Sequence, residues 1–421
     1  MTKKSVIAVL FCIIATPSYS QSVTLEQLID AALQHHSYTN KLASEDQLRS
    51  IKADGIRANL LPDISVNAFV GYQSLVPEFP LQMPGIPSPS FPKDRYQASL
   101  DINQMIYDGG LTRQREKLLE IETFMARTRI MADRFPIQQQ VVDAWFGLEL
   151  VAVQRSILKL TLEDLEARHR MLEVGLEEGI VMQMDVDRIA VELARVRQKD
   201  AQIHDDSLRI ADVLSEITGL SFSRQTIFVV SNTESSNDLV LRIRPETILF
   251  ELAADKVEAS VELEKSQRRP RVSGYLQGAY GKPGLDIFAD TFSPFWQAGL
   301  RASWVLWDKG SAKRDQEISR ILKHQIDDDR AFFDRNISIA IRNQEAEIEK
   351  NRELLDGDQQ IITLHQRIKR ASEAKLDEGI INATDYLTDV RAVEQARLQY
   401  ESRKIAIRYA NSQIQILRGG L

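Results

Sequence analysis

Four stretches of the chain alternate apolar and polar residues with period two, the pattern of a strand that shows one face to an apolar medium and the other to water. Ile64, Val66, Ala68, Val70 and Tyr72 alternate with Asp63, Ser65, Asn67, Phe69 and Gly71, so one face is apolar and the other, Phe69 excepted, is small or polar. Tyr96, Ala98, Leu100, Ile102 and Ile106 fall opposite Gln97, Ser99, Asp101 and Asn103. Val272, Leu276 and Tyr280 mark a third stretch, and Trp296, Ala298, Leu300, Ala302, Trp304 and Leu306 oppose Gln297, Gly299, Arg301 and Ser303 in a fourth. Strands are therefore expected over about 63–73, 96–107, 271–281 and 296–307, each about ten residues long, which is what a tilted strand needs to cross a bilayer. The charged Asp101 and Arg301 lie on the polar face and suit a water-filled lumen, while Tyr72, Tyr96, Tyr280 and Trp296 stand at strand ends where an interfacial aromatic belt would sit. The connections Gln73 to Arg95, with Pro77, Pro80, Pro84, Pro87, Pro89 and Pro92, and Gly281 to Phe295, with Pro283 and Pro294, are expected to be exposed hairpin ends.

The remainder carries helical periodicity in long pieces. Leu111 to Gly175 and Ser311 to Ala374 contain little Gly or Pro apart from Pro136, Gly147 and Gly357. At the rise of an α-helix each would run roughly 100 Å, with a kink expected at Pro136. Another helix is expected over about 24–60. After Gly179 a heptad appears at Val186, Ile189, Leu193, Val196, Asp200, Ile203, Ser207, Ile210, Leu214 and Ile217. The same 3-4 spacing recurs at Tyr386, Asp389, Val393, Ala396, Tyr400, Arg403, Ile407, Ala410, Ile414 and Leu417. Sustained heptads imply coiled-coil hairpins, with tips at Gly179 and Gly379.

That recurrence is part of a larger one. At an offset of 200 residues Tyr96-Gln97-Ala98-Ser99-Leu100 matches Trp296-Gln297-Ala298-Gly299-Leu300, and Tyr107-Asp108-Gly109-Gly110 matches Trp307-Asp308-Lys309-Gly310. Leu176-Glu177-Glu178-Gly179-Ile180 matches Leu376-Asp377-Glu378-Gly379-Ile380, and Asp185 matches Asp385. The chain reads as a tandem repeat of a strand hairpin plus a long coiled-coil helical hairpin. The first repeat is placed at 21–225 with its tip near 176–185, an equatorial linker at 226–244, and the second repeat at 245–421 with its tip near 376–385.

Composition narrows the class without deciding it. With 53 Lys+Arg against 60 Asp+Glu, a net charge of −7 and no basic stretch, nucleic acid is not an expected partner. Residues 1–20, with Lys3 and Lys4 before the apolar run Val6 to Ala15 and small residues at Ser18-Tyr19-Ser20, read as a secretory signal peptide. It contains Cys12, the sole cysteine, so neither a disulfide framework nor a cysteine-based zinc site is expected. After it no segment approaches the roughly 18 apolar residues of a membrane-spanning helix, so any span must be made of strands. Four strands cannot close a barrel, and an open edge cannot sit in lipid. Three copies under cyclic symmetry would supply twelve strands and a matching ring of helices.

The leader, the duplication, the two strand hairpins each followed by a Tyr/Trp-Asp-x-Gly transition, and the Gly-x5-Asp tips (Gly179 to Asp185, Gly379 to Asp385) together resemble the TolC-type outer-membrane factor family. The resemblance covers nearly all of the mature chain. It implies a mixed α and β membrane protein: a homotrimer forming a 12-stranded β-barrel in the outer-membrane lipid, continuous with a periplasmic α-helical barrel. It also implies passive conduction, in efflux or type I secretion, of substrate from an inner-membrane transporter of ABC, RND or MFS type, received through a periplasmic adaptor (membrane fusion protein). Gly179, Ile180 and Asp185 with Gly379, Ile380 and Asp385 would then form the periplasmic tip and adaptor-docking surface. Family members often carry two acidic residues three apart at the entrance; here Thr388 stands at that spacing from Asp385 and Asp389 follows, so an entrance ring of Asp385 and Asp389 is the expectation.

Other residues carry blander readings. Asp185 and Asp385 could equally cap the returning helices, and Asp108 and Asp308 are expected to cap the long ones. His35-His36 is expected to be an exposed helical pair, and the other histidines show no ligand spacing. No nucleophile elbow, zinc-protease motif or phosphate loop is present, so no enzyme, metal or cofactor is expected. The competing class is a periplasmic coiled-coil adaptor or scaffold, which predicts one hairpin flanked by small β-rich domains rather than two hairpins and bilayer-length strands.

Overall fold

A computed structural model describes residues 22–76, 91–222, 227–228, 243–286 and 290–420. The expected leader, the prolines from Pro77 to Pro89 and most of the expected linker lie outside the described residues. Chain contacts divide the protein into two units, and each draws on both halves of the sequence.

The first unit comprises residues 1–37, 133–242 and 337–421. A two-residue strand β1 (Ser22–Val23) pairs in parallel with β4 (Ile227–Phe228). Helix α1 (Leu25–His35) opens with a capping box: the Gln27 N–H donates to Thr24 Oγ1 at 3.3 Å and the Thr24 N–H to Gln27 Oε1 at 3.0 Å. The single helix expected over 24–60 is instead two, because Ser37 takes a left-handed φ of 52° before α2 (Tyr38–Ala58) begins. The core is helical, built from α4 (Arg134–Glu177), α5 (Gln183–Thr218), the far part of α7 (Ser311–Asp377) and α8 (Ala383–Leu417). Leu158, Leu165 and Leu172 of α4 recur every seven residues and meet Val186, Ile189, Leu193, Val196 and Ile203 of α5. A second cluster packs Leu28, Ile29 and Ala32 of α1 against Val141, Val142 and Trp145 of α4 and Leu214 of α5. The polar exceptions in the heptads have partners. Asp200 accepts from Arg155 at 3.0 Å, Ser207 donates to the His204 carbonyl at 2.7 Å, Arg403 donates to Asp358 at 2.5 Å and Ser372 donates to Asp389.

The expected kink at Pro136 is a break. Helix α3 (Leu111–Ala132) and α4 are separated at Asp133, because Pro136 has no N–H for the Ala132 carbonyl and its ring crowds that oxygen. The residue 200 positions later is Asn336, and α7 runs through it uninterrupted for 67 residues.

The second unit comprises residues 38–132 and 243–336. Its sheet has the order β2 (Asp63–Tyr72), β3 (Asp94–Tyr107), β5 (Arg271–Lys282), β6 (Ser293–Ser303), antiparallel throughout. β6 stops at Ser303, short of the expected Trp304 and Leu306. Ser303 pairs with Arg271, and the next partner would be Pro270, which has no N–H to offer the ladder. Pro294, expected in the connection, lies inside β6, which an edge strand tolerates. Helix α6 (Pro245–Gln267) has Ala259 and Ser266 as its buried positions, and α3 has Thr112, Leu119, Thr123 and Thr128.

The two strand-to-helix transitions are built alike. Asp108 accepts from the Gly110 N–H at 2.9 Å and the Thr112 N–H at 2.6 Å, and Asp308 from the Gly310 and Ala312 N–H groups at 3.0 and 2.8 Å. Gly109 and Gly110 have φ of 72° and 82°, Lys309 and Gly310 of 56° and 76°. Only Gly109 is also crowded: a Cβ there would lie 2.9 Å from Arg269 Cβ.

Candidate functional site: helical tips and strand faces

The tips follow from local chain geometry. Helix α4 ends in a Schellman arrangement in which the Gly179 N–H donates to the Leu176 carbonyl (3.0 Å) and the Ile180 N–H to the Gly175 carbonyl (2.8 Å). Helix α7 ends identically, Gly379 to Leu376 at 3.0 Å and Ile380 to Lys375 at 2.8 Å. Gly179 and Gly379 have φ of 74° and 68°, and a Cβ on either would meet nothing within 4 Å, so glycine serves the left-handed backbone and not a close approach. Gly175, four residues earlier, lies within α4. The turns leave Ile180 and Ile380 bare, at 67% and 63% exposure, with Met182 at 69%.

The tip carboxylates diverge. Helices α5 and α8 start on Met182 and Asn382, so neither Asp185 nor Asp385 caps its own helix; both lie in the first turn. Asp185 instead reaches across to α8, where its Oδ1 accepts from the Ala383 N–H at 3.0 Å. Asp385 is exposed, and among the described residues its carboxylate has no polar partner. Asp389 is turned to Ser372 of α7. The structure therefore brings Asp185 to the second hairpin but does not bring Asp385 and Asp389 onto a shared partner.

Between the two hairpins lies a charged latch that sequence reasoning missed. Arg168 of α4, 3% exposed, donates to Glu373 and Asp377 of α7 and lies 5.4 Å from the centre of the Tyr386 ring. Tyr386 is fully buried and donates to Asp164 at 3.0 Å, and Asp164 also pairs with Lys369 at 2.6 Å. Burial first, and then the Asp164 carboxylate, push the Tyr386 hydroxyl far above its ordinary pKa, so it stays a donor. Glu192 accepts from Nε and Nη2 of Arg391, at 2.9 and 2.5 Å, and Lys199 pairs with Glu394 at 2.7 Å. The signal for this latch is departure from the repeat: the residues 200 positions from Arg168, Asp164 and Tyr386 are Ile368, Leu364 and Val186.

One face of the sheet is apolar and the other polar, apart from the rings of Phe69, Tyr275 and Phe295 on the polar side. Rows Ile64–Ile102–Leu276–Ala298 and Val66–Leu100–Gly278–Trp296 make one face, and Ser65–Asp101–Gln277–Gln297 runs along the other. The apolar face is uncovered, with Val66 at 78% and Trp296 at 71% exposure. Asp101 accepts from Asn67 (2.8 Å), Ser99 (2.7 Å) and Gln277, and Arg301 on the same face stacks 5.6 Å over the Tyr275 ring.

No helix of the described residues is long and apolar enough to cross a membrane, and none of their His, Cys, Asp or Glu clusters could hold a metal ion. A cleft of about 810 Å³ in the second unit is lined by Arg49, Arg57, Arg113 and Lys117 interleaved with Glu116, Glu120 and Glu262, and Arg57 is already paired with Glu116.

No protein-family model matches the sequence, and no curated protein matches it. Solved structures do match. CusC, described for conformational changes accompanying folding and transmembrane channel formation, superposes with a TM-score of 0.70 at 13% identity, over 94% of this chain and 92% of that chain. The CmeC outer-membrane channel of Campylobacter jejuni gives 0.65 at 15% identity over 94% and 85%. The outer-membrane protein VceC of Vibrio cholerae gives 0.66 at 15% over 94% and 96%. The chain has the fold of these outer-membrane channels. At such identities the channel fold is shared but residue roles are not carried with it, and the roles of the tip residues rest on the geometry above.

Proposed function

We propose that this chain is a TolC-type outer-membrane factor, the subunit of a homotrimeric channel of the outer membrane that extends into the periplasm and passively conducts substrate from an inner-membrane transporter. The observation that carries this reading is the four-stranded sheet, of bilayer length, with a bare apolar face, a polar face bearing Asp101 and Arg301, and unclosed edges at β2 and β6. Lipid admits strands only in a closed barrel, so the edges must pair with other copies, and three copies of two tandem repeats give twelve strands. Asp101 and Arg301 then face the lumen.

The helical hairpins form the periplasmic end. Ile180 and Ile380 beside Gly179 and Gly379 present an exposed apolar surface for a periplasmic adaptor, and Asp185 and Asp385 orient it. Asp385, with Asp389, lines an acidic entrance that favours cations. The system served is efflux or type I secretion.

Fractionation tests the core of the proposal. A heat-modifiable trimer extracted from outer membranes by detergent, forming conducting pores in planar bilayers, is the expected result. A freely soluble monomer in periplasmic extracts overturns it. In the bilayer assay Asp385→Ala with Asp389→Ala is expected to raise conductance or weaken cation block.

A further inference from the structure

Helix α8 starts with its N–H groups taken up. The Asn382 side chain accepts from Thr384 and Asp385 at 2.8 and 3.2 Å, and Asp185 of the other hairpin accepts from Ala383. Helix α5 starts 200 residues earlier, at Gln183, on Met182, which offers no cap oxygen. The residue 200 positions after Asp185 is Asp385, exposed and without a polar partner for its carboxylate among the described residues. One side chain and one helix start are thus each left open, and they are the repeat equivalents of two groups joined inside the chain.

A ring made of alternating repeats closes by reusing the contact of first repeat on second as a contact of second repeat on the next first. The observed pairs can be moved by 200 residues on each side to read that contact. Asp185 on Ala383 becomes Asp385 on Gln183. Arg168 with Glu373 and Asp377 becomes Ile368 beside Glu173 and Glu177, and Asp164 with Lys369 becomes Leu364 with His169. Glu192 with Arg391 becomes Ala392 beside Val191, and Lys199 with Glu394 becomes Gln399 beside Ala194. These ion pairs are all lost on translation, as is Arg408 with Glu149, which becomes Leu208 with Glu349, while the carboxylate-to-N–H contact keeps both of its groups. Three of the residues that replace charged partners are apolar and bare: Leu364 is 48%, Ile368 47% and Val191 52% exposed.

We propose that a second copy of this chain docks along this face, with Asp385 seated on the α5 N-terminus of the partner subunit at the Gln183 N–H and with Leu364 and Ile368 covered by it. The proposal rests on the trimeric reading above. It leaves the seam between copies without the ion pairs that fasten the seam inside each chain, so the helices of one chain's tip hold together more firmly than neighbouring chains do.

The test uses the full chain in outer membranes. The only native cysteine, Cys12, precedes the described residues, which leaves the mature background clear. Gln183→Cys with Asp385→Cys, treated with a short bis-maleimide, is expected to give a covalent ladder of dimer and trimer, and either single variant none. Asp185→Cys with Ala383→Cys is expected to close within one chain and give no ladder. A trimer captured by a lysine-reactive crosslinker in the double variant, with no ladder from the cysteines, overturns the seam and leaves the trimer standing. No oligomer from either reagent overturns the trimeric reading itself.

Discussion

Glu192 shows how one charge can be read as a pH-dependent fastening. The hydrogen bonds and charge of Arg391 hold its carboxyl below the ordinary value of 4.5, against the opposing effect of burial. A carboxylate lowered on folding contributes stability above its unfolded pKa and loses it as pH falls through the folded one. The thermal midpoint of the wild type is therefore expected to exceed that of Glu192→Gln by a constant margin at neutral pH, and the margin should close below pH 4.5. A margin independent of pH would remove Glu192 from the latch. Asp385 separates two roles in the same way. Asp385→Asn discards the charge but keeps an acceptor, so it is expected to weaken cation block while leaving the oligomer's thermal stability intact. Asp385→Ala should weaken both, the stability by about 1 kcal/mol per copy as for a lost helix cap. If the two variants behave alike in stability, the cap on the partner subunit is wrong.

At the scale of elements, the sequence showed what depends on periodicity and hid what depends on partners. Alternation marked all four strands because each residue's face is fixed by its own position. The end of β6 at Ser303 was hidden because it depends on Pro270, the residue just before the neighbouring strand. The heptads of α5 and α8 named most of the buried residues, yet Arg168 looked like one more helix-surface cation until α7 came beside it. Asp185 was legible as a cap, but its target lies on a helix 198 residues away. Gly179 and Gly379 were legible in full, since a left-handed helix end needs only local chain. Alanine at either has space but the wrong φ, so Gly179→Ala or Gly379→Ala is expected to cost about 1–2 kcal/mol. The loss should appear as faster amide exchange confined to the affected turn. Asparagine, which tolerates that region better, should recover part of it.

For the whole molecule, the unequal seams determine where an entrance can part. Within a chain, separating the hairpins strips Arg168, whose side chain is 3% exposed, from Glu373 and Asp377 and leaves it unpaired, and it takes Arg391 from Glu192, which keeps only Arg195 of its own helix at 3.5 Å. Between copies, separation exposes Leu364 and Ile368 to water and frees one carboxylate that water readily solvates. The second process is the easier, so opening is expected to proceed by chains moving apart, each with its two hairpins still joined. Disulfides distinguish the two routes in planar bilayers. A lock inside the chain, Asp185→Cys with Ala383→Cys, where a short side chain already meets the other hairpin's backbone, should leave the fully open conductance within reach. A lock between chains, Gln183→Cys with Asp385→Cys, should hold the channel at its closed conductance until a reductant is added. Block by the first lock and free opening with the second would place the moving joint between the hairpins of a single chain.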